Sequence, residues 1–313
     1  MATDDYFSVD VVVPFADSLE NLRALSIWLK KEEIPRNFTI ILVHDVHKHD
    51  LASTKLLEVL NSLRPESYLY VKGTFGAPGT ARNAGLREST AQWVCFWDSD
   101  DYPCPHAFNL MIAAGIENKA QICVGNFDIV NFNSREKVMA SRGNSSIQVA
   151  ITPGFWRMAI LKQSIGEVEF TNSRMGEDQL FLISIDFASL KWYRHNAVVY
   201  QYALGMSTQL TNSFSSYPDL LETLNNSIAA SKEKNGFRAN FIYSIMEARL
   251  ALTILLRLPR RENNLVIRSY IRESFSSPKK IFFGTGPAYI IVILDLVIQA
   301  IFSLKNKLGF KGV

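Results

Sequence analysis

Short apolar runs rich in β-branched and aromatic residues alternate with helix-patterned stretches from residue 8 to about residue 130. The apolar runs are Val9 to Pro14, Thr39 to Val43, Tyr68 to Val71 and Trp93 to Trp97. Helices are predicted between them, from Ser18 to Lys31, from about Leu51 to Leu63 and around Ala81 to Leu86. This alternation is typical of βαβ units. We therefore expect an α/β fold in which helices flank a mixed, largely parallel sheet.

The last of these apolar runs ends in three carboxylates, Asp98, Asp100 and Asp101. Asp98 and Asp100 are separated by one small residue, and such a pair suits a hard divalent cation that shares its ligands with substrate phosphates. An acidic turn is the alternative, because Asp and Ser are ordinary turn residues. We expect Asp101 to be a solvated turn residue. Ligands of open α/β sheets bind beyond the carboxyl ends of the strands, so Asp45 and Asp98 should face one crevice.

The pattern becomes irregular after about residue 130. The polar stretch from Asn131 to Ser146 is interpreted as a hairpin or loop, and Pro153 to Ile165 is predicted to be a helix facing the site. From Pro218 the sequence favours helices over roughly 218–235, 237–258 and 262–275. We place the domain boundary near residue 215, which divides the chain into residues 1–215 and 216–313.

The amino-acid composition bears on the protein's binding partners and on its cellular compartment. The net charge is only +3, so we expect no nucleic-acid partner. Cys95, Cys104 and Cys123 have neither the spacing of a zinc site nor the even number of a disulfide framework, which favours a reducing compartment. Residues 1–10 are polar and lack the basic start and apolar stretch of a secretory signal. We expect a cytoplasmic protein, either free in the cytoplasm or peripherally bound to the inner face of the membrane.

The C-terminal stretch from Pro287 to Leu304 is almost wholly apolar, is interrupted by Asp295, and is followed by lysines. It lies at the short end of what spans a bilayer, and its Asp would be costly there, so we do not expect it to span. An amphipathic helix on an anionic membrane surface and a homo-oligomer interface both explain the pattern. The two interpretations stay open.

Five short elements follow one another along the chain: Val11 to Phe15, Ile41 to Asp45, Ala81 to Leu86, Phe96 to Asp101 and Gly176 to Phe181. Taken in this order, they resemble glycosyltransferase family 2 with the GT-A fold. The resemblance covers about residues 8–205 and implies that residues 1–215 form a nucleotide-sugar-binding catalytic domain. Residues 216–313 form the helical region and carry no signal of the family. One element departs from the pattern, because the second strand ends in His44-Asp45-Val46-His47 and only Asp45 matches the usual acidic pair.

The resemblance also implies roles for individual residues. Those expected to contact the donor are Pro14, Phe15, Asp45, Arg82, Asn83, Asp98 and Ser99. Asp100 would ligate Mn²⁺ or Mg²⁺. A cation and Arg82 beside the leaving diphosphate would stabilise the charge that develops as the glycosidic bond breaks.

Asp178 is the candidate general base, because the family inverts the anomeric centre and a carboxylate within reach of the acceptor hydroxyl would remove its proton. The alternative is that Glu177 and Asp178 merely interact with the positive end of a helix dipole. Glu177 and Trp156 are candidate acceptor contacts. Gly205 to Gln209 is either a mobile loop that closes over the diphosphate or a plain connection.

These features predict an inverting, metal-dependent hexosyl- or N-acetylhexosaminyltransferase of polysaccharide biosynthesis. It would move a sugar from a nucleoside-diphosphate donor, for which UDP is the commonest nucleotide, to a hydroxyl of a glycan or lipid-linked acceptor. A non-catalytic nucleotide-sugar-binding or docking partner of another glycosyltransferase is one alternative. A sugar-phosphate nucleotidyltransferase is another, but Pro14-Phe15-Ala16-Asp17 stands where that class carries a basic, Gly-rich loop.

Overall fold

The computed structural model describes residues 7–16, 25–29, 33–46, 67–205, 217–257 and 286–307, with short pieces at 267–268, 270–272 and 275–276. The strands are β1 Val9–Ala16, β2 Phe38–Asp45, β3 Tyr68–Gly73, β4 Trp93–Phe96, β5 Tyr102–Pro103, β6 Ile122–Asn131, β7 Lys137–Arg142, β8 Met158–Leu161 and β9 Trp192–Leu204. The helices are α1 Pro78–Glu88, α2 Pro105–Glu117, α3 Ser146–Ile151, α4 Glu177–Ser184, α5 Tyr217–Lys232, α6 Phe237–Arg257 and α7 Gly286–Lys307. Two short 3₁₀ turns cover Phe155–Arg157 and Lys162–Ser164.

The nine strands in the described part of the chain belong to one mixed sheet in the order β3-β2-β1-β4-β8-β6-β9-β5, with β7 paired to β6. β1 is parallel to both β2 and β4, and β2 is parallel to β3. Asp45 pairs in register with Ala16, and Phe96 pairs with Val12. The carboxyl ends of β1, β2 and β4 therefore meet at one edge, where the chain of β4 continues into Asp98. The predicted α/β class and its largely parallel sheet are confirmed.

Helix α1 packs unusually close to the parallel half of the sheet. A Cβ added at Gly85 would lie 2.5 Å from a methyl of Val12 and 2.9 Å from a methyl of Val43. Carbon atoms do not approach so closely, so only glycine permits this spacing between helix and strands. The close contact brings the first turns of α1, which carry Arg82, to the edge where β1 and β2 end.

The prediction of a helix from Pro153 to Ile165 is wrong. The segment instead contains the two 3₁₀ turns and strand β8, which inserts antiparallel between β4 and β6. Its first three residues, Met158 to Ile160, are fully buried, and a short apolar run buried on both faces of a sheet lacks the alternation that identifies a strand. Strand β9, over residues 192–204, was not predicted either. By contrast, the predicted hairpin after residue 130 is confirmed as β6 and β7.

Other predictions fall partly outside the described residues. Of the helix predicted from Ser18 to Lys31, residues 25–29 are described and are helical. The helix predicted over 51–63 lies outside the described residues, as does most of the loop after Gly205. Of the helix predicted over 262–275, residues 267–268 and 270–272 are helical.

Within residues 216–313, the structure describes the helices α5, α6 and α7. α5 packs on α4, α6 packs on α3 and α5, and α7 packs on α6. The residues Phe237–Leu256 of α6 match a membrane span in length and hydropathy, but about half of that stretch, 56%, is buried inside the fold, as in a core helix. α7 confirms the helix expected at Pro287 to Leu304, and Arg249 of α6 pairs with its Asp295 at 3.6 Å.

Candidate active site

A cleft of about 430 Å³ opens at the carboxyl ends of β1, β2 and β4. Its walls also include the start of α1, the 3₁₀ turn after Gly154 and the start of α4. Most of the residues singled out from the sequence line it: Pro14, Phe15, Asp45, Arg82, Asp98, Ser99, Asp100, Trp156, Glu177 and Asp178. Asn83 is not among its lining residues. The cleft therefore brings together residues that are up to 164 positions apart in the sequence, from Pro14 to Asp178.

Arg82 connects two walls of the cleft. One guanidinium nitrogen, Nη1, donates to Glu177 Oε1 at 2.5 Å, and Nη2 donates to Asp98 Oδ1 at 2.7 Å. The guanidinium carbon lies 4.7 Å from the ring centre of Phe155, so a cation–π contact supports it from one side. Burial lowers the pKa of Arg82, but the carboxylates of Asp98, Glu177 and Asp178 raise it further, and the net pKa is above its ordinary value. Arg82 is thus a fixed positive charge between two acidic segments.

The acids at the start of α4 sit where backbone geometry is constrained. Gly176 precedes the helix with φ of 82°, a left-handed conformation that favours glycine, and its neighbours Glu177 and Asp178 form the first turn. Burial raises the pKa of Glu177 to about 7, against the opposing effect of Arg82. Burial also raises the pKa of Asp178, whose Oδ1 accepts from the backbone N–H of Gln179 at 2.8 Å. Both carboxyl groups therefore bind protons more tightly than a solvated acid.

The three acids after β4 have different surroundings. Asp98 and Asp100 line the cleft, whereas Asp101 is fully buried, so the expectation of a solvated turn residue at Asp101 is wrong. Asp101 Oδ1 accepts from the backbone N–H of Ala203 in β9 at 2.7 Å, which anchors the acidic loop to that strand. The Tyr200 hydroxyl accepts from the backbone N–H of Asp98 at 3.0 Å. Burial, followed by the charges of Asp100 and Asp98, raises the pKa of Asp101 well above its ordinary value.

Asp45 lines the cleft but also holds the loop before α1. Its two carboxylate oxygens accept from the backbone N–H groups of Phe75 and Gly76, at 2.6 and 2.9 Å. The preceding His44 is buried, stacks on Phe15 with ring centres 4.6 Å apart, and lies 2.6 Å from the Tyr70 hydroxyl. The carboxylate of Asp45 and the ring of Phe15 thus form one connected wall.

Two predicted contacts have surroundings that the sequence did not indicate. The carboxamide of Asn83 donates to the carbonyl of Phe170 and accepts from its N–H, both at 2.8 Å, so it fastens the segment before α4 to α1. Trp156 is largely buried, at 7% exposure, and stacks on Tyr200 and Tyr202 with ring centres 4.6 and 5.7 Å away. It still lines the cleft, so only part of its surface faces the cavity.

Sequence reasoning missed Arg174 and Tyr202 as parts of this site. Arg174 is exposed in the cleft wall, and its backbone N–H donates to Asp219 Oδ2 of α5 at 2.9 Å. Its position two residues before Gly176 was the available signal. Tyr202 lies on the strand that was not predicted, so nothing in the sequence pattern placed it near the other residues.

The donor set of the cleft fits a hard divalent cation. Among the described residues that line the cleft are five acidic side chains and two arginines, and Asp98 and Asp100 offer carboxylate oxygens, the ligands that Mg²⁺ and Mn²⁺ prefer. Within the described part of the chain, no group of three or more His, Cys, Asp or Glu side chains is arranged to hold a metal by itself. A cation bound at Asp100 would therefore take further ligands from water and from substrate phosphates.

Curated relatives of this chain include glycosyltransferases. The poly(ribitol-phosphate) beta-N-acetylglucosaminyltransferase TarP of Staphylococcus aureus (strain N315) is 27% identical over 186 residues, 56% of each chain. The UDP-Glc:alpha-D-GlcNAc-diphosphoundecaprenol beta-1,3-glucosyltransferase WfgD of Escherichia coli is 29% identical over 132 residues, 42% of this chain and 49% of its own. The chain spans about half the length of the curated relatives it matches.

Solved structures share the fold at low identity. The complex of S. aureus TarS 1-349 with UDP-GlcNAc superposes with a TM-score of 0.61 and 17% identity, over 92% of this chain and 80% of that chain. The mannosyltransferase PcManGT from Pyrobaculum calidifontis, solved with GDP-Man and Mn²⁺, gives a TM-score of 0.55 and 14% identity. The superposition covers 99% of this chain and 89% of that chain. The match to TarS confirms the GT-A fold.

The sequence model of Glycosyl transferase family 2 matches residues 10–197, which is more than half of the chain. This range contains every lining residue of the cleft except Tyr202. The motifs at Asp45, Arg82, Asp98 and Asp178 all fall within it. The chain belongs to glycosyl transferase family 2.

Proposed function

We propose that this protein is an inverting, metal-dependent glycosyltransferase of polysaccharide biosynthesis. It transfers a hexosyl or N-acetylhexosaminyl group from a UDP-sugar to a hydroxyl of a glycan or lipid-linked acceptor. The observation that carries the proposal is the convergence of Asp45, Arg82, Asp98, Asp100 and Asp178 on one cleft. The names of TarP and WfgD, which are transferases acting on a polymer and on a lipid-linked sugar, support the reaction class.

The donor diphosphate is assigned to the part of the cleft beside Arg82 and Asp100. Arg82 is already held by two carboxylates and an aromatic ring, so its charge needs little reorganisation when the leaving group becomes more negative. Mn²⁺ or Mg²⁺ bound by Asp100 supplies further positive charge against the leaving diphosphate. The Mn²⁺ in the PcManGT structure supports the choice of cation.

The nucleoside is assigned to the wall formed by Pro14, Phe15 and Asp45, with Ser99 beside it. Asp45 holds the backbone of Phe75 and Gly76, so it shapes this wall as well as facing it. UDP is the proposed nucleotide because TarS 1-349 has been solved in complex with UDP-GlcNAc and with UDP. Asn83 acts indirectly, because its hydrogen bonds to Phe170 position the segment that leads to α4.

Asp178 is proposed as the general base. It lines the cleft, its carboxylate is not paired directly with Arg82 in the way that Glu177 is, and its raised pKa makes it a stronger base than a solvated aspartate. In a single displacement it accepts the proton of the acceptor hydroxyl as that oxygen attacks the anomeric carbon. Trp156 and Glu177, which both line the cleft, are assigned to the acceptor side.

The C-terminal helices are proposed to attach the enzyme to a membrane surface or to a second copy of the chain. Four aliphatic side chains of α7 are between 45% and 56% exposed, at positions 290, 293, 294 and 297. This helical spacing forms one uncovered apolar stripe, which either occupant would cover. Deletion of residues 286–313 should reduce either oligomeric mass or recovery with vesicles. The stripe has neither role if both stay unchanged.

Thermal unfolding with a panel of UDP-, GDP-, CMP- and dTDP-sugars tests the proposed function. A ligand that binds the folded state alone raises its stability by mass action. We expect UDP-sugars to raise the melting temperature in the presence of Mn²⁺ and to be slowly hydrolysed without acceptor. Stabilisation without any sugar release, even with acceptor glycans, would instead favour a non-catalytic binding protein. Release of pyrophosphate from a nucleoside triphosphate and a sugar phosphate would favour a nucleotidyltransferase.

A further inference from the structure

A second cavity, of about 580 Å³, shares no lining residue with the candidate active site. Two arginines line it, Arg194 of β9 and Arg238 of α6. The other lining residues are neutral: Asn126, Gly143, Asn144, Ser145, Ser146, Gln148 and Asn196. Since no acidic side chain lies in this described lining, the two guanidinium charges have no carboxylate partner there. The balance is opposite to that of the active site, where acids outnumber arginines.

Arg194 is held in position before any ligand arrives. Its Nε donates to the carbonyl of Asn144 at 3.1 Å, and its Nη2 donates to the Ser146 hydroxyl at 2.7 Å. The guanidinium carbon also lies 4.9 Å from the ring centre of Trp192. These contacts fix the plane of the guanidinium group, so binding through its remaining N–H groups costs little side-chain entropy.

Arg238 approaches the same hydroxyl from another element. Its Nη2 donates to Ser146 Oγ at 3.3 Å, so two like charges converge on one neutral oxygen. Burial, and then the charge of Arg238, lower the pKa of Arg194. An anion between the two side chains would remove this repulsion. The planar fork of arginine matches the oxygens of a phosphate group better than it matches a monatomic anion.

The residues next to these polar groups indicate what carries the phosphate. Phe237 precedes Arg238 and is 80% exposed, and Ile147 follows Ser146 and is 41% exposed. Large apolar side chains beside cationic ones are typical of protein surfaces that contact the boundary between lipid head groups and acyl chains. We propose that this cavity binds the phosphate of an anionic lipid between Arg194 and Arg238, with Phe237 and Ile147 contacting the apolar layer.

Sedimentation of the full chain with vesicles tests the site. One set of vesicles is phosphatidylcholine alone, and the other contains phosphatidylglycerol as well. We expect preference for the second set, and we expect Arg238→Gln to weaken that preference about fivefold, the typical contribution of one cationic side chain near an anionic surface. Arg194→Gln should act in the same direction, and Phe237→Ser should weaken binding to both sets.

Arg87→Gln is the matched control, because it removes one positive charge from an exposed ion pair with Glu169 outside this cavity. It should leave the preference unchanged. An equal loss with Arg87→Gln and Arg238→Gln would overturn the proposal, since net charge alone would then explain the binding. Binding of inorganic pyrophosphate in calorimetry that depends on Arg238, without any difference between vesicles, would also overturn it in favour of a soluble phosphate ligand.

The lipid site and the proposed function fail separately. Arg238→Gln lies outside the cleft, so stabilisation of the protein by UDP and Mn²⁺ should be the same in the variant and the wild type. If UDP and Mn²⁺ stabilise neither the wild type nor Arg238→Gln, the enzyme assignment is contradicted, and the vesicle result still tests the lipid site.

Discussion

The acids that follow β4 and the acids that begin α4 are linked by one guanidinium, yet their environments differ. Asp98 and Asp100 follow a strand end and face the cavity, and the loop that carries them is anchored to β9 through Asp101. Glu177 and Asp178 are in a first helical turn, and burial raises the pKa of both. The first pair suits binding of a cation and the second suits holding and moving a proton.

Arg82 offsets part of the negative charge of the five acids that line the described cleft. Its two ion pairs, to Asp98 and to Glu177, use one carboxylate from each segment. Asp100 and Asp178, the other cleft-lining acid of each segment, are the residues assigned to the metal and to the acceptor proton. The comparison therefore predicts that variants of Asp178 and of Asp100 fail in different ways.

Replacement of Asp178 by Asn should have the largest effect. General base catalysis contributes about 10²–10⁴-fold in rate, so we expect a loss of about 10³-fold in transfer. The side chain keeps its size, so stabilisation by UDP and Mn²⁺ should be unchanged. Rates of sugar transfer and thermal shifts with UDP measure the two effects.

Glu177→Gln is the matched variant for that experiment. It removes the charge of the acceptor in the buried pair with Arg82 but keeps an acceptor oxygen, so we expect the free energy of unfolding to fall by about 1 kcal/mol as a charge-assisted hydrogen bond becomes a weaker one. Its transfer rate should fall less than that of Asp178→Asn. The opposite ranking of rates would assign the base to Glu177.

Replacement of Asp100 by Ala should reduce transfer by about 10²-fold, which corresponds to the few kcal/mol that a cation contributes against developing charge. The diagnostic result is the metal dependence, since the variant should be stabilised by UDP to the same small extent with and without Mn²⁺. Glu117→Gln, an exposed acid on α2, is the control and should retain the dependence. A dependence on Mn²⁺ that survives in Asp100→Ala would move the metal away from this loop.

The pH dependence of transfer should reflect the raised pKa of Asp178. A general base must be deprotonated, so activity is lost as the pH falls through its pKa. Because burial raises the pKa of Asp178, the acidic limb of the pH–activity profile should lie above 3.8, the ordinary pKa of an aspartate. Profiles of kcat/KM between acidic and neutral pH measure the limb. A limb at or below the ordinary value would contradict the assignment of Asp178 as the base.

The sequence was sufficient for those parts of the site in which the chemistry is local. Asp98 and Asp100 follow an apolar run directly, and the glycine before Glu177 marks the start of a helix. Both segments could therefore be identified from the local sequence pattern. The pairing of Arg82 with Glu177 joins residues 95 positions apart, and no pattern near either residue reveals it. Likewise, β8 is a four-residue strand between β4 and β6, and its four apolar residues fit a helix equally well.

Asp101 is the case in which local pattern was misleading, and it gives the smallest predicted effect. The side chain looks like part of a turn, but β9 supplies the N–H of Ala203 about 100 residues later and buries the carboxyl group. Asp101→Ala should lower the free energy of unfolding by about 1–3 kcal/mol, because the buried N–H loses its acceptor. Asp101→Asn keeps an acceptor oxygen and should cost less than the alanine variant.

The pH dependence of unfolding distinguishes these two variants from the wild type. The folded protein holds the proton of Asp101 to a higher pH than the unfolded chain, whose carboxyl titrates near 3.8. Wild-type stability therefore falls as the pH rises from about 3.8 towards the raised pKa, because the unfolded state then binds fewer protons. Asp101→Asn cannot titrate and should lack this part of the fall. Urea unfolding at several pH values measures this fall in stability. Identical pH profiles for the wild type and Asp101→Asn would show that Asp101 is not a buried, proton-binding anchor of the acidic loop.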